Sequence, residues 1–100
     1  MSRLSQDEID RALAESLSDW QQDGDAITRS VRVPTFLAGI GLVQRVAEVA
    51  EVLDHHPDID IRYTTLRFTL SIHSEGGLTV KDLELASVID DLVAHTSGNP

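Results

Sequence analysis

Cysteine is absent from this 100-residue chain. Disulfides, thiolate catalysis and Cys-ligated zinc are therefore excluded. Basic residues are scarce, 8 Lys and Arg against 17 Asp and Glu, for a formal charge of -9. With no Lys/Arg cluster to displace counterions, the chain does not read as a phosphate-tracking nucleic-acid binder, and an anionic membrane surface is disfavoured. No apolar run approaches the roughly 20 residues of a membrane span. The Met1-Ser2-Arg3-Leu4 start lacks the charged and apolar blocks of a signal peptide. A cytoplasmic protein is the default expectation. At 41% hydrophobic, the length fits one domain over 1–100 with a modest core. Gly76-Gly77 lacks the lysine of a phosphate loop, and no nucleophile-elbow motif marks a serine.

What the chain does contain is concentrated at Asp54-His55-His56-Pro57-Asp58, with Glu51 one helical turn earlier and His73 downstream. Two adjacent imidazoles bracketed by carboxylates are acid/base chemistry in search of a pocket. Element signals locate them. Ser5 and Glu8 form a capping box, with Leu4 and Ile9 as its staple, and Ile9, Ala12, Leu13 and Leu17 make a helical stripe ending at Ser18-Asp19. Asp23-Gly24 signals a hairpin turn. In the strand that follows, Ile27, Arg29, Val31 and Val33 share a face, with Arg29 the polar anomaly expected to snorkel at the sheet end.

After Pro34 the period changes. Phe36, Ile40, Val43, Ala47 and Ala50, widened by Val46 and Leu53, predict a long core helix reaching His55, because Pro57 forces His56 out of helical angles. The parity of the next apolar residues, Ile59, Ile61 and Tyr63 followed by Leu66, Phe68, Leu70 and Ile72, flips at Thr64-Thr65. A hairpin turning there puts both sets on one face and pairs residues summing to 129, which by extension sets His56 opposite His73. The last helix begins at Thr79, with Asp82 at its third position, Leu78 and Leu83 as a staple, and Leu85, Ala86, Ile89, Leu92 and Val93 as its face. His95 falls at its end, and residues 96–100 read as a frayed tail. The expected architecture is α+β, a two-layer sandwich of a four-stranded antiparallel sheet with three helices on one face, in the order α-β-β-α-β-β-α.

Each of the three histidines alone has an ordinary structural explanation, and Asp82 is accounted for by its capping position. Convergence of His55, His56 and His73 favours a site. Glu51 can orient His55 by an i,i+4 contact or simply solvate the helix. A single metal would use Glu51, His55 and His73, but adjacent histidines diverge and no ligand-spacing motif is present.

Glu51-x-x-x-His55-His56-Pro57-Asp58, followed by Tyr63, His73, Gly77-Leu78-Thr79, Asp82 and Leu85-Ala86, resembles the signature of the pterin-4a-carbinolamine dehydratase family. The match runs from about Leu17 and Trp20, through Ala26-Ile27-x-Arg29, to Ile89-Asp90. The resemblance implies a small α+β enzyme, a homodimer or homotetramer. Such an enzyme dehydrates 4a-hydroxytetrahydropterin to quinonoid dihydropterin without metal or organic cofactor, recycling the cofactor of aromatic amino acid hydroxylases. It implies acid/base roles for His55 and His73 and pterin positioning by His56. Glu51, Asp54 and Asp82 would support the imidazoles or meet the pterin's polar edge, and Pro57 would fix the turn. Ile59 and Ile72 stand where the family often has an aromatic and a small polar residue, and Val31 and Val33 replace commonly aromatic positions. The same family fold can also serve as a dimerisation partner for a transcription factor, and a repurposed pterin-binding relative is a further alternative.

Overall fold

The structure, a computed structural model, describes residues 3–71 and 77–96. Helix α1 (Gln6–Glu15) is followed by strands β1 (Gln21–Asp23) and β2 (Ala26–Arg32) and helix α2 (Phe36–Leu53). Strands β3 (Asp58–Arg62) and β4 (Thr65–Leu70) and helix α3 (Val80–Thr96) complete the order. The two hairpins join through antiparallel pairing of β2 with β4, giving one sheet ordered β1-β2-β4-β3. This is the α-β-β-α-β-β-α fold expected.

Local signals explain most boundaries. The Ser5 hydroxyl accepts from the Glu8 amide at 3.2 Å while the Glu8 carboxylate accepts from the Ser5 amide at 2.8 Å, completing the capping box. Those bonds hold the Glu8 carboxyl below its ordinary pKa. The helix stops at Glu15, short of the Ser18-Asp19 end expected, yet Leu17 remains buried, its amide bonded to the Ala12 carbonyl. Gly24, at φ +61°, makes the β1–β2 turn.

Ile27, Val31, Leu66, Phe68 and Leu70 line one sheet face and pack with Leu42, Val46, Leu85 and Ile89 in a single core. Arg29 sits on this face opposite Phe68. Instead of only snorkelling, it bonds Asp90 of α3, whose Oδ1 also accepts from the Trp20 indole at 2.8 Å. The α3 face is as predicted, with Leu85, Ala86, Ile89 and Val93 buried.

Three expectations require correction. First, α2 buries Gly39, Leu42, Val46 and Ala50, leaving Phe36 and Ile40 exposed. The helix is apolar on more than one side, and Gly39 decides its orientation: a Cβ there would lie 3.2 Å from Val33 and 3.6 Å from Leu66, so the glycine lets the helix approach the sheet. Second, α2 ends at Leu53 instead of reaching His55, because Asp54 adopts the left-handed conformation, φ 52°, ψ 44°. Asp54 N–H bonds to Glu51 C=O and His55 N–H to Ala50 C=O, a Schellman closure with Asp where Gly is usual.

The third correction is the β3–β4 register. Observed pairs sum to 127, Ile61 with Leu66 and Ile59 with Phe68, and the turn is Tyr63-Thr64. A shift of two in the sum keeps the same faces together, so the alternation of side chains could not distinguish the registers. Backbone contacts outside the hairpin do: Thr64 is buried and its carbonyl accepts from Val33 N–H at 2.9 Å, while Tyr63, at φ 54°, is 75% exposed. The predicted His56–His73 pairing and the apolar position Ile72 lie outside the described residues.

Candidate active site

The left-handed Asp54 turns the chain back over the end of α2, and this one conformation separates the two histidines. His55 is directed inward. Its Nε2 lies 2.7 Å from Asp82 Oδ1, with the two side chains 9% and 0% exposed. Asp82 occupies the third position of α3, where its Oδ2 accepts the Thr79 amide at 2.9 Å. The capping role read from the sequence is therefore real but incomplete, since the second carboxylate oxygen holds the imidazole. With Asp82 acting as a carboxylate acceptor, His55 Nε2–H donates and Nδ1 is the nitrogen left for other chemistry.

His56 faces solvent. Its Nε2 lies 2.6 Å from Glu51 Oε2, with both side chains more than half exposed. The helical spacing left Glu51 either orienting His55 or solvating the helix. The chain reversal at Asp54 gives it to His56 instead, across five residues, because His55 has turned into the interior. Asp54 itself caps the helix and is exposed, and Pro57 is partly buried at the entry to β3. His73, the third expected member, lies outside the described residues.

A cavity of about 210 Å³ opens beside His55, lined also by Leu53, Lys81 and Glu84. The last two were not singled out from the sequence. They lie three apart on α3 and look like ordinary surface charges until Asp82, between them, is seen to hold His55. Among the described residues no group of three or more His, Asp or Glu side chains could hold a metal ion. Glu51 and His55, grouped in the metal reading, point to different partners.

Known proteins share much of this chain's sequence and its fold. The sequence pattern of the family described as pterin 4 alpha carbinolamine dehydratase matches residues 2–92. The chain belongs to that family. A protein of Mycobacteroides abscessus with the provisional name pterin-4-alpha-carbinolamine dehydratase is 54% identical over 95 residues, covering 95% of this chain and 100% of the relative. A Nocardia farcinica protein of the same provisional name is 55% identical over 89 residues, 89% of this chain and 93% of its own. Among solved structures, a transcriptional coactivator/pterin dehydratase from Brucella melitensis superposes with a TM-score of 0.88 at 35% identity, covering 92% of this chain and 99% of that one. A pterin dehydratase-like protein identified as a RuBisCO assembly factor in the alpha-carboxysome shares the fold, at a TM-score of 0.62 and 17% identity, over 74% of this chain and 86% of its own. Among the described residues no helix is long and apolar enough to cross a membrane.

Proposed function

We propose that this protein dehydrates a 4a-hydroxytetrahydropterin to the quinonoid dihydropterin by histidine acid/base catalysis, without metal or organic cofactor. The observation carrying the reading is the buried His55–Asp82 pair beside an open cavity, in a chain of the pterin-4a-carbinolamine dehydratase family. In this reaction the C4a–O bond breaks as the leaving hydroxyl is protonated, a ring N–H proton is removed, and the electron pair left behind forms the new C=N bond. One water is released, with no change in oxidation state. A proton donor and a proton acceptor are required, and neutral-range imidazoles can act as either.

His55 works through Nδ1, because Asp82 holds Nε2 and with it the tautomer and ring plane. His73 supplies the second acid/base group by family resemblance. His56, held by Glu51 at the surface, positions the pterin. Asp54 and Pro57 fix the turn that aims both rings. Such an enzyme would serve a cytoplasmic aromatic amino acid hydroxylase by returning its oxidised pterin to the reductive cycle.

Dehydration of a 4a-hydroxytetrahydropterin, followed by ultraviolet absorbance for wild type, His55→Ala and His73→Ala, tests the proposal. A loss of about 10²- to 10⁴-fold is expected in each variant. Equal rates in all three, no faster than buffer, would sink the reading. Wild-type activity is expected to survive strong chelation. A second reading, a non-catalytic dimerisation or coactivator module, draws on the name of the Brucella melitensis relative and on the exposed apolar residues Phe36, Leu37 and Ile40 of α2. Under that reading the histidine variants would leave partner binding intact and no dehydratase activity would be found.

A further inference from the structure

The chain contains a single lysine, Lys81, and the fold places it on the wall of the cavity beside His55. Helix stability does not select it. Lys81 is the second residue of α3, in the first turn, where the positive end of the helix dipole disfavours a cation. Glu84 follows one turn later, so lysine precedes glutamate, the weaker order for a contact along a helix. The two do not pair. Among the described residues, neither the Lys81 ammonium nor the Glu84 carboxylate takes part in an ion pair or a side-chain hydrogen bond. Both are exposed, and both line the cavity.

Three residues of helix turn through about 300°, so Lys81 and Glu84 project about 60° apart on one flank of α3. Asp82, between them in sequence, is directed into the interior and holds His55 there. The cavity wall therefore combines a donor-only ammonium, an acceptor-only carboxylate, the apolar side chain of Leu53 and the His55 imidazole.

A ligand matching that wall presents an acceptor next to paired donors. The pyrimidinone edge of a pterin does so: its 4-oxo oxygen accepts, while N3–H and the 2-amino group donate side by side to the two oxygens of one carboxylate. The 4-oxo carbon adjoins C4a, the reacting carbon. An ammonium on that oxygen thus brings the 4a-hydroxyl toward His55, and the carboxylate one turn along α3 meets the far end of the same edge. At about 210 Å³ the cavity is smaller than the roughly 300 Å³ at which sites for drug-sized ligands begin, so it suits a bicyclic head and leaves a C6 side chain outside.

We propose that Lys81 and Glu84 select and orient the pterin ring, Lys81 donating to the 4-oxo oxygen and Glu84 accepting from N3–H and the 2-amino group, an assignment that rests on the dehydratase reading of the site. Neither residue moves a proton. Their part is to choose the ring and to set C4a against His55.

Two stable ligands separate the contacts without turnover: 7,8-dihydropterin, and 7,8-dihydrolumazine, which has a 2-oxo group in place of the 2-amino group and keeps the 4-oxo oxygen. By titration calorimetry, wild type is expected to bind dihydropterin about tenfold more tightly, because the 2-oxo group leaves the Glu84 carboxylate facing an acceptor. Glu84→Gln, whose amide offers a donor as well as an acceptor, is expected to lose that preference. Lys81→Met should weaken both ligands by a similar factor, about tenfold, since both keep the 4-oxo oxygen. In steady state each variant is expected to raise KM with kcat little changed. Both positions are exposed on α3, and Gln and Met are good helix formers, so neither substitution disturbs the fold. A Glu84→Gln protein that keeps the wild-type preference, or a Lys81→Met protein of undiminished affinity, overturns the assignment while leaving an active dehydratase in place. Wild type that binds neither ligand overturns both readings. A preference present in wild type and lost in Glu84→Gln, with no dehydration of the 4a-hydroxytetrahydropterin, upholds the ring contacts and overturns the dehydratase reading alone.

Discussion

His55 and His56 are neighbours in sequence, and each bonds a carboxylate at nearly the same distance, 2.7 Å to Asp82 and 2.6 Å to Glu51. Their surroundings differ completely. The first pair is enclosed between the end of α2 and the start of α3; the second is exposed, joining the last turn of α2 to the segment that follows it. At the surface the contact competes with water and its partners lose side-chain freedom to hold it, so its net contribution is small. In the interior the same contact cannot be replaced by water, and removing one partner strands the other. Proximity alone therefore says little about which contact organises a site.

The largest expected effect comes from breaking the enclosed pair. Asp82→Ala leaves His55 and the Thr79 amide without their acceptor and should lower unfolding free energy by about 3 kcal/mol, measured by urea denaturation. Double-mutant cycles sharpen the contrast. The His55/Asp82 coupling is expected near 2 kcal/mol and the His56/Glu51 coupling near 0.3 kcal/mol. A reversal of that order would overturn the distinction drawn between the two pairs.

Glu51→Ala should leave stability within about 0.5 kcal/mol of wild type. If His56 positions the pterin, its kinetic effect falls on KM with kcat little changed, whereas Asp82→Asn, which retains shape but not charge, falls on kcat. Asp54→Gly tests the turn that separates the two histidines. Relief of the left-handed strain should stabilise the protein by about 0.5 kcal/mol in thermal unfolding while leaving both histidine contacts in place.

Elements marked by strong local chemistry were legible in advance. The Ser5–Glu8 capping box, the Gly24 turn and the α3 stripe all follow from side chains acting within a few residues. The buried face of α2 did not, because its apolar residues outnumber those one face can hold and only the close approach at Gly39 chooses among them. Similarly, the β3–β4 register escaped a parity argument that is blind to shifts of two, and was decided by Val33 and Thr64 from outside the alternating pattern.

Within the candidate site, residue types were readable but pairings were not. Glu51 at i−4 from His55 is a sound helical expectation that fails once Asp54 ends the helix early. Asp82 carried its capping role openly, and the family resemblance offered it as a support for the imidazoles or a contact to the pterin, but only the packing of α3 against the end of α2 shows that it holds His55, 27 residues away.

By itself the sequence determined the inventory: three helices and two hairpins in order, a histidine pair before a proline, and a carboxylate at the third position of the last helix. Its short-range signals suffice for these because they act over one or two turns of backbone. Only the tertiary structure decided which histidine is enclosed and which carboxylate each one meets. Those outcomes depend on how independent elements pack, where burial, more than sequence distance, sets the strength of a contact.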